Sequence, residues 1–210
     1  MITLKAINKK YNKNVIFDQF DMQVESGVLT AIKGRIGTGK STLLNIIAGL
    51  DSSYTGTCSI FGNIQPKNDR LLASYRLRHI GYIPQDYQLL EDLTCFDNVA
   101  LPLKFLKETE SARESKVRDI MEELQITHLR DKYPSEISGG QRQLISISRA
   151  LVKKPSIIIG DEITGALDRI TEEEVLTSLK YRQSKDSCII IATHSQAVAE
   201  KCQRVIELDK

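Results

Sequence analysis

Residues Ile32 to Leu50 read IKGRIGTGKSTLLNIIAGL, and the fold turns on this stretch. A short apolar strand, Val28 to Ile32, runs into a glycine-rich loop that opens a strongly apolar helix. Gly34, Gly39, Lys40 and Ser41 fit the phosphate-binding pattern G-x-x-x-x-G-K-[ST]. Glycines let the backbone turn its N–H groups inward, where a side chain would block a phosphate. The helix starting near Lys40 adds the positive end of its dipole at the same point. Lys40 is expected to reach the β- and γ-phosphates, and the Ser41 hydroxyl to ligate Mg²⁺. The alternative, a glycine turn before a buried helix, does not require the full pattern in strand–loop–helix context. A nucleotide-binding protein is expected.

At 210 residues the chain suits one large domain, or a core domain carrying a subdomain. Its net charge of +2 is close to balanced, and no clustered basic run points to nucleic acid. The four cysteines (Cys58, Cys95, Cys188, Cys202) lack metal-ligand or C-x-x-C spacing and read as reduced cytosolic thiols. The N-terminus does not read as a signal peptide. No apolar run approaches the ~18–20 residues of a membrane span, so direct membrane insertion is not expected.

Outward from the phosphate loop, Ile2 to Tyr11 and Val15 to Glu25 read as a hairpin about the turn Asn12-Lys13-Asn14. Tyr11 stands at its edge, where a ring can pack or stack on a base. Leu43, Leu44, Ile46, Ile47 and Leu50 make the loop's helix apolar round most of its circumference. Gly56 to Phe61, Ile80 to Pro84, Ser156 to Glu162, Cys188 to Thr193 and Val205 to Leu208 read as strands. Asn68 to His79 is helix-compatible and basic. From Asp86 to about Lys154 the texture turns helical. Thr94 caps a helix to Leu106 that Pro102 should kink or bring to a turn, and Ser111 to Leu124 is amphipathic. Thr171 and Glu174 fit a capping box. The expected fold is an α/β P-loop NTPase core with a mostly parallel sheet, an N-terminal antiparallel β region and a helical insertion. The whole of 1–210 then forms one ATP-binding domain, with 1–85 and 155–210 as core and about 86–154 as helical subdomain.

Ligands of such sheets bind outside the carboxyl ends of the strands. Asp161, after an apolar run, suits a magnesium-holding carboxylate. Glu162 points the other way out of the strand and could accept a proton from an attacking water. The Gln85 amide suits Mg²⁺ or that water, and His194 a γ-phosphate. His79 and His128 have no such placement and are expected on the surface. Ile137-Ser138-Gly139-Gly140-Gln141 opens a second helix with bare N–H groups suited to a phosphate. Ordinary capping by Ser138 explains that stretch equally well.

Along nearly its whole length the chain resembles the ATP-binding subunit of ABC transporters. The matches are Walker A (Gly34 to Thr42, including Gly37), the glutamine loop (Gln85), the signature ISGGQ (Ile137 to Gln141), Walker B (Ile157 to Glu162), the D-loop GALD (Gly165 to Asp168) and the switch histidine (His194). The texture of Tyr82 to Leu103 and Tyr133 to Gln141 is similar to the lipoprotein-release and macrolide- or peptide-export branch. The resemblance implies an ATPase that binds ATP and Mg²⁺, with Tyr11 stacking on adenine. It also implies a head-to-tail homodimer, whose two ATP molecules lie between one subunit's Walker A and the other's Ser138, Gly139, Gly140, Gln141 and Asp168. The ATPase would power a separate integral membrane permease from the cytoplasmic face of the cell membrane. Asp86 to Leu90 and Phe96 to Leu103 are expected to dock that permease, because the helical insertion next to Gln85 should expose Tyr87, Leu89 and Leu90. An ABC-type ATPase of a non-transport complex, in mechanotransmission or another cell-envelope process, is the other function compatible with these motifs. A chromosome-maintenance relative would need a long heptad coiled coil between Walker A and the signature, and none occurs here; a translation-factor relative normally carries two such domains in one chain.

Several positions depart from the family pattern: Arg35 and Ile36 for proline and serine, Ile137 for leucine, Leu144 for arginine, Gly160 for alanine and Ile163 for proline. None removes a group assigned to chemistry, so hydrolysis is expected. The given sequence ends soon after its last expected strand, so a regulatory C-terminal domain is not expected.

Overall fold

The computed structural model describes residues 1–208. Backbone contacts divide the chain into two compact units, Met1–Arg76 with the segment from Arg182 onward, and Leu77–Tyr181.

In the first unit, strands β1 (Ile2–Tyr11) and β2 (Asn14–Val24) form the expected hairpin, with Ile2 opposite Val24 and Tyr11 opposite Asn14. Asn12 turns the chain at φ 53°, a left-handed conformation that asparagine tolerates better than most residues. Strand β4 (Thr55–Ile60) joins the other side of β1, and β5 (Asn63–Ile64) follows it, in the order β2-β1-β4-β5. Alternation buries Ile2, Leu4, Met22, Val24, Cys58 and Ile60 on one face. Register shifts interrupt β1 on both sides of Lys9, and such bulges re-aim side chains: Lys9 is buried, while Lys10 and Tyr11 are exposed.

The parallel layer of this unit places β3 (Leu29–Lys33) between β8 (Cys188–Thr193) and β9 (Arg204–Glu207). All of β8 and Leu29 to Ile32 of β3 are buried, which explains their unbroken apolar runs. Helix α1 (Lys40–Ala48) buries Leu43, Leu44, Ile46 and Ile47, each contributing roughly 1.5–3 kcal/mol. Gly49 stops it in a left-handed C-cap. Leu50 therefore falls beyond the helix and is 51 % exposed, contrary to the expectation that it shares the apolar surface. Helix α2 (Asp69–His79) buries only Leu72 among its own residues.

The second unit contains the parallel pair β6 (Ile80–Ile83) and β7 (Ile157–Asp161) with helices α3 (Cys95–Phe105), α4 (Glu110–Glu123), α5 (Gly139–Leu151) and α6 (Arg169–Tyr181). Thr94 caps α3 by accepting from Asp97 N at 3.1 Å, and Pro102 lies close to the end of that helix. Asn98 is buried in α3 with its amide fully used: it donates to the carbonyls of Leu90, Leu93 and Thr94 and accepts from Leu90 N. Helix α4 buries Val117, Ile120 and Met121 as its periodicity predicts. Helix α6 starts two residues earlier than the proposed box at Thr171. Asp168 caps it instead, accepting from Ile170 N, Thr171 N and the Thr171 hydroxyl. An aspartate at that position outcompetes threonine because its charge also faces the positive end of the helix. Helix α7 (Gln196–Glu200), back in the first unit, is short and was not legible in the sequence.

Two departures from the family pattern belong together. A methyl at position 160 would sit 2.6 Å from Ile163 Cγ2 and 3.1 Å from its Cδ1. Ile163 is buried, so its side chain occupies the space that an alanine at 160 would need. Gly160→Ala should therefore destabilise by ~1–3 kcal/mol alone, and by less than ~0.5 kcal/mol in an Ile163→Ala background. A double-mutant cycle by urea denaturation measures this, and additive effects would show that the two sites are independent.

Lys153 donates from Nζ to Leu77 O at 2.8 Å, and burial brings its ammonium down from the ordinary 10.5 to about 8. A base with a depressed folded pKa binds fewer protons folded than unfolded between those values. Its contribution to stability is therefore lowest below the folded pKa and rises through that window. The stability difference between wild type and Lys153→Met should shift in favour of wild type as pH rises from about 8 to 10.5. A flat difference across denaturation curves in that window would contradict the assignment.

Candidate functional site

The phosphate loop is built in the first unit. Strand β3 ends at Lys33, and Gly39 opens α1 at φ 101°. A Cβ at Gly39 would lie 2.7 Å from Ile16 Cγ2 and 3.1 Å from Phe17 Cζ, so both backbone sign and packing require glycine there. Among the described residues no side chain caps the N-terminus of α1, which leaves its first N–H groups and dipole available to an anion. Gly37 is also left-handed, at φ 86°, and open space surrounds it. Lys40 is only 7 % exposed, and its Nζ bends back to donate to Gly34 O at 2.8 Å and Arg35 O at 3.2 Å. Thr38 donates to the same Arg35 carbonyl at 3.0 Å, which stiffens the loop. Ser41 is exposed and Thr42 half-buried on the first turn of α1, while Arg35 and Ile36 stand out from the loop.

The ends of β8 and β3 bring His194 to this loop. A cleft of about 260 Å³ is lined by Lys33, Gly34, Arg35, His194 and Glu207, with Lys33 donating to Glu207 at 3.3 Å. Ser195, next to the histidine, caps α7 by accepting from Val198 N. Tyr11 lies in the same unit at the end of β1, half exposed, with its hydroxyl donating to Asp51 Oδ2 at 3.0 Å. His79 and His128 are exposed, as expected. The glycine cradle, buried ammonium and bare helix start fit a nucleotide's phosphates.

In the second unit, Asp161 closes β7 and is 5 % exposed. Glu162 lies beyond the strand at φ 51°, so a left-handed backbone sets the direction of its side chain, not the strand alternation assumed from sequence. The turn that follows is held by Gly165 N to Glu162 O and Leu167 N to Thr164 O, and ends at the cap Asp168. Ser138 and Gln141 form a reciprocal capping box at the start of α5: Gln141 N donates to Ser138 Oγ at 3.3 Å, and Ser138 N to Gln141 Oε1 at 3.0 Å. Ordinary capping is therefore present, and Gly139 and Gly140 add a helix start without side chains. A Cβ on Gly140 would be 3.1 Å from Ala166 O, so the signature and the D-loop are brought together.

Gln85 is exposed just past β6. The turn after it was invisible in the sequence: Tyr87 and Gln88 are both left-handed, at φ 62° and 47°. Helix α5 holds their carbonyls. Ser146 Oγ and Arg149 donate to Tyr87 O at 3.0 and 2.7 Å, and Arg149 donates to Gln88 O at 2.6 Å. Burial lowers the Arg149 pKa below the usual arginine value, so its charge is spent on this turn at some cost. At the other end of α5, the Tyr87 hydroxyl sits 3.3 Å from where a Cβ of Gly139 would be. Of the three apolar side chains expected to be exposed here, Leu90 is, whereas Tyr87 and Leu89 are half-buried.

A family profile described as ABC transporter matches residues 17–165. The bacitracin export ATP-binding protein BceA of Halalkalibacterium halodurans is 39 % identical over 204 residues, covering 96 % of this chain and 81 % of its own length. The macrolide export ATP-binding/permease protein MacB of Pectobacterium atrosepticum is 38 % identical over 208 residues, covering 99 % of this chain but only 32 % of its own longer length. Among solved structures, the ATP-binding cassette MJ0796, a dimer in a post-hydrolysis state bound to ADP and Pi, superimposes with a TM-score of 0.93. It is 30 % identical, and the match covers 100 % of this chain and 94 % of that one. The chain therefore belongs to the ABC transporter family, as an ATP-binding and ATP-hydrolysing cassette with the P-loop NTPase fold.

Proposed function

We propose that this chain powers a separate membrane permease, in export, by closing and opening a head-to-tail dimer around two ATP molecules. The phosphate loop carries the reading: a bare helix start and the buried Lys40 ammonium lie in one unit, and Gly34 and Arg35, whose carbonyls hold that ammonium, line a cleft with His194. Lys40 would exchange two neutral carbonyl acceptors for anionic β- and γ-phosphate oxygens, which are stronger partners. Gly34, Gly37, Gly39 and Thr42 shape the cradle, and His194 donates an N–H to the γ-phosphate. Ser41 in the first unit, and Gln85 and Asp161 in the second, each carry a hard oxygen of the kind Mg²⁺ takes, typically one or two carboxylates with water and phosphate completing the shell. Bound with the nucleotide, the ion would neutralise negative charge on the phosphates. Glu162 takes the proton from the attacking water as its oxygen bonds to the γ-phosphorus and the bond to ADP breaks.

The dimer follows from the chain having a second phosphate-suited helix start at Ser138 to Gln141, and from a cassette of this fold being known as a dimer. Ser138, Gly139, Gly140, Gln141 and Asp168 would face ATP held by the partner's Walker A. The helical part, about 86–154, is proposed as the subdomain that meets the permease through Asp86 to Leu90 and Phe96 to Leu103. Among the described residues no helix is long and apolar enough to cross a membrane, and one similar protein carries permease and ATP-binding functions in its name. A permease supplied by another chain would hold this protein at the cytoplasmic face of the membrane.

Glu162→Gln should keep ATP binding, slow hydrolysis by ~10²–10⁴-fold and accumulate an ATP-bound dimer in size-exclusion chromatography. Turnover within a few-fold of wild type would remove Glu162 as the base.

The composite site is tested by mixing Ser138→Arg protein with Lys40→Ala protein, each of which should be nearly inactive alone. A head-to-tail heterodimer has one site with both lesions and one with neither. ATPase activity should therefore rise on mixing to well above either parent. No recovery, with mixed dimers demonstrated under ATP, would refute the arrangement.

A further inference from the structure

Lys9 is a buried cation that the proposed chemistry does not use. Its side chain is 3 % exposed, and its Nζ lies 2.6 Å from Asp51 Oδ2 and donates to Ser53 O at 2.8 Å. The same Nζ stands 4.5 Å from the centroid of the Tyr11 ring, over one face of it. The Tyr11 hydroxyl in turn donates to Asp51 Oδ2 at 3.0 Å, and Ser53 N donates to Asp51 Oδ1 at 2.9 Å. Burial pushes the Asp51 carboxyl up, but the hydrogen bonds from Lys9, Ser53 N–H and Tyr11 outweigh it and hold it below the ordinary carboxylate value.

A buried ion pair is weak evidence for stability, because well-packed apolar residues often serve as well. Its geometric product here is specific. Tyr11 is fixed at its hydroxyl by Asp51 and on one ring face by Lys9, yet remains 47 % exposed. The bulges in β1 on either side of Lys9 direct that ammonium inward and leave the tyrosine at the edge. An exposed aromatic side chain normally loses orientational freedom when it binds, and this one has lost it beforehand.

Asp51 also ties the ring to the phosphate loop. Asp51 N and Leu50 N both donate to Asn45 O at the end of α1, at 3.1 and 2.8 Å. The other end of α1 is Lys40. Nine helical residues at ~1.5 Å each separate the two ends by about 13 Å. One rigid helix thus spaces a triphosphate cradle from an aromatic platform.

We propose that Lys9 and Asp51 are positioning residues that preset Tyr11 as the platform for the purine base, with helix α1 setting the distance from base to triphosphate. This rests on the reading of Tyr11 as the base-stacking residue. A cation behind the ring withdraws electron density from the open face, which suits an electron-rich purine. Neither residue touches the phosphates, so both should affect the nucleoside part of the ligand alone.

The test compares ATP with inorganic tripolyphosphate by calorimetry on the full chain. Tyr11→Ala should weaken ATP about tenfold, as loss of one stacked base does. Lys9→Met/Asp51→Asn, which removes both charges and keeps the side-chain stems, should weaken ATP about 3- to 10-fold. Tyr11→Phe, which keeps the ring and removes only its tether, should weaken ATP about 2- to 3-fold. Tripolyphosphate should bind all three within about twofold of wild type. If Tyr11→Ala weakens ATP while the other two bind it as wild type does, the positioning proposal falls and the base reading stands. If Tyr11→Ala itself binds ATP normally, the base reading falls and takes the proposal with it. Equal losses for ATP and tripolyphosphate would overturn the proposal, because the lesion would then lie in the fold.

Discussion

A buried ammonium needs oxygen acceptors, and a phosphate site needs that same ammonium free to turn outward. The loop from Gly34 to Gly39 reconciles the two by lending Lys40 its own carbonyls, those of Gly34 and Arg35. These acceptors are neutral and can be exchanged for anionic ones. The arrangement demands a loop tight enough to fold its carbonyls over the first turn of α1. That in turn demands the left-handed backbone of Gly39 and the close approach of Ile16 and Phe17. The parallel strands β3 and β8, buried throughout their apolar runs, carry the loop and His194 to a common edge. Core, strand ends and loop follow from the placement of one charge.

The sequence revealed these parts unequally. Contiguous signals read well: the phosphate loop, the apolar strands, the hairpin and the amphipathic α4 all form as their local patterns require. The start of α6 misled, because Thr171 and Glu174 match a capping box while the stronger cap, Asp168, belongs to a motif with another meaning. Leu50 misled because periodicity continues past Gly49, where the helix stops. Glu162 was placed by strand alternation, although the strand ends one residue earlier. Long-range pairs were illegible. Lys9 meets Asp51, and Asn98 closes back on Leu90, with no spacing rule to announce either.

The departures from the family pattern divide in the same way. Ile137 is buried where the pattern has leucine, a nearly volume-conserving exchange. Gly160 and Ile163 look like two losses in a linear comparison but meet in space, where the Ile163 side chain fills the room that a methyl at position 160 would need. Arg35 and Ile36 stand out from the loop, and among the described residues no side-chain contact accounts for them.

The turn at Tyr87 and Gln88 has a mechanical meaning. Two successive left-handed residues store of order 1–3 kcal/mol each, and they persist because Ser146 and Arg149 hold their carbonyls. The Tyr87 side chain meanwhile reaches the start of the same helix at Gly139. Fastened at both ends of α5, the turn has no slack with which to absorb a displacement. A push on Asp86 to Leu90 would be delivered to the glycines of the signature as motion of a stiff rod, and a shift of those glycines would return along the same rod. What stiffens that linkage is the set of hydrogen bonds from Ser146 and Arg149 to the carbonyls of the turn.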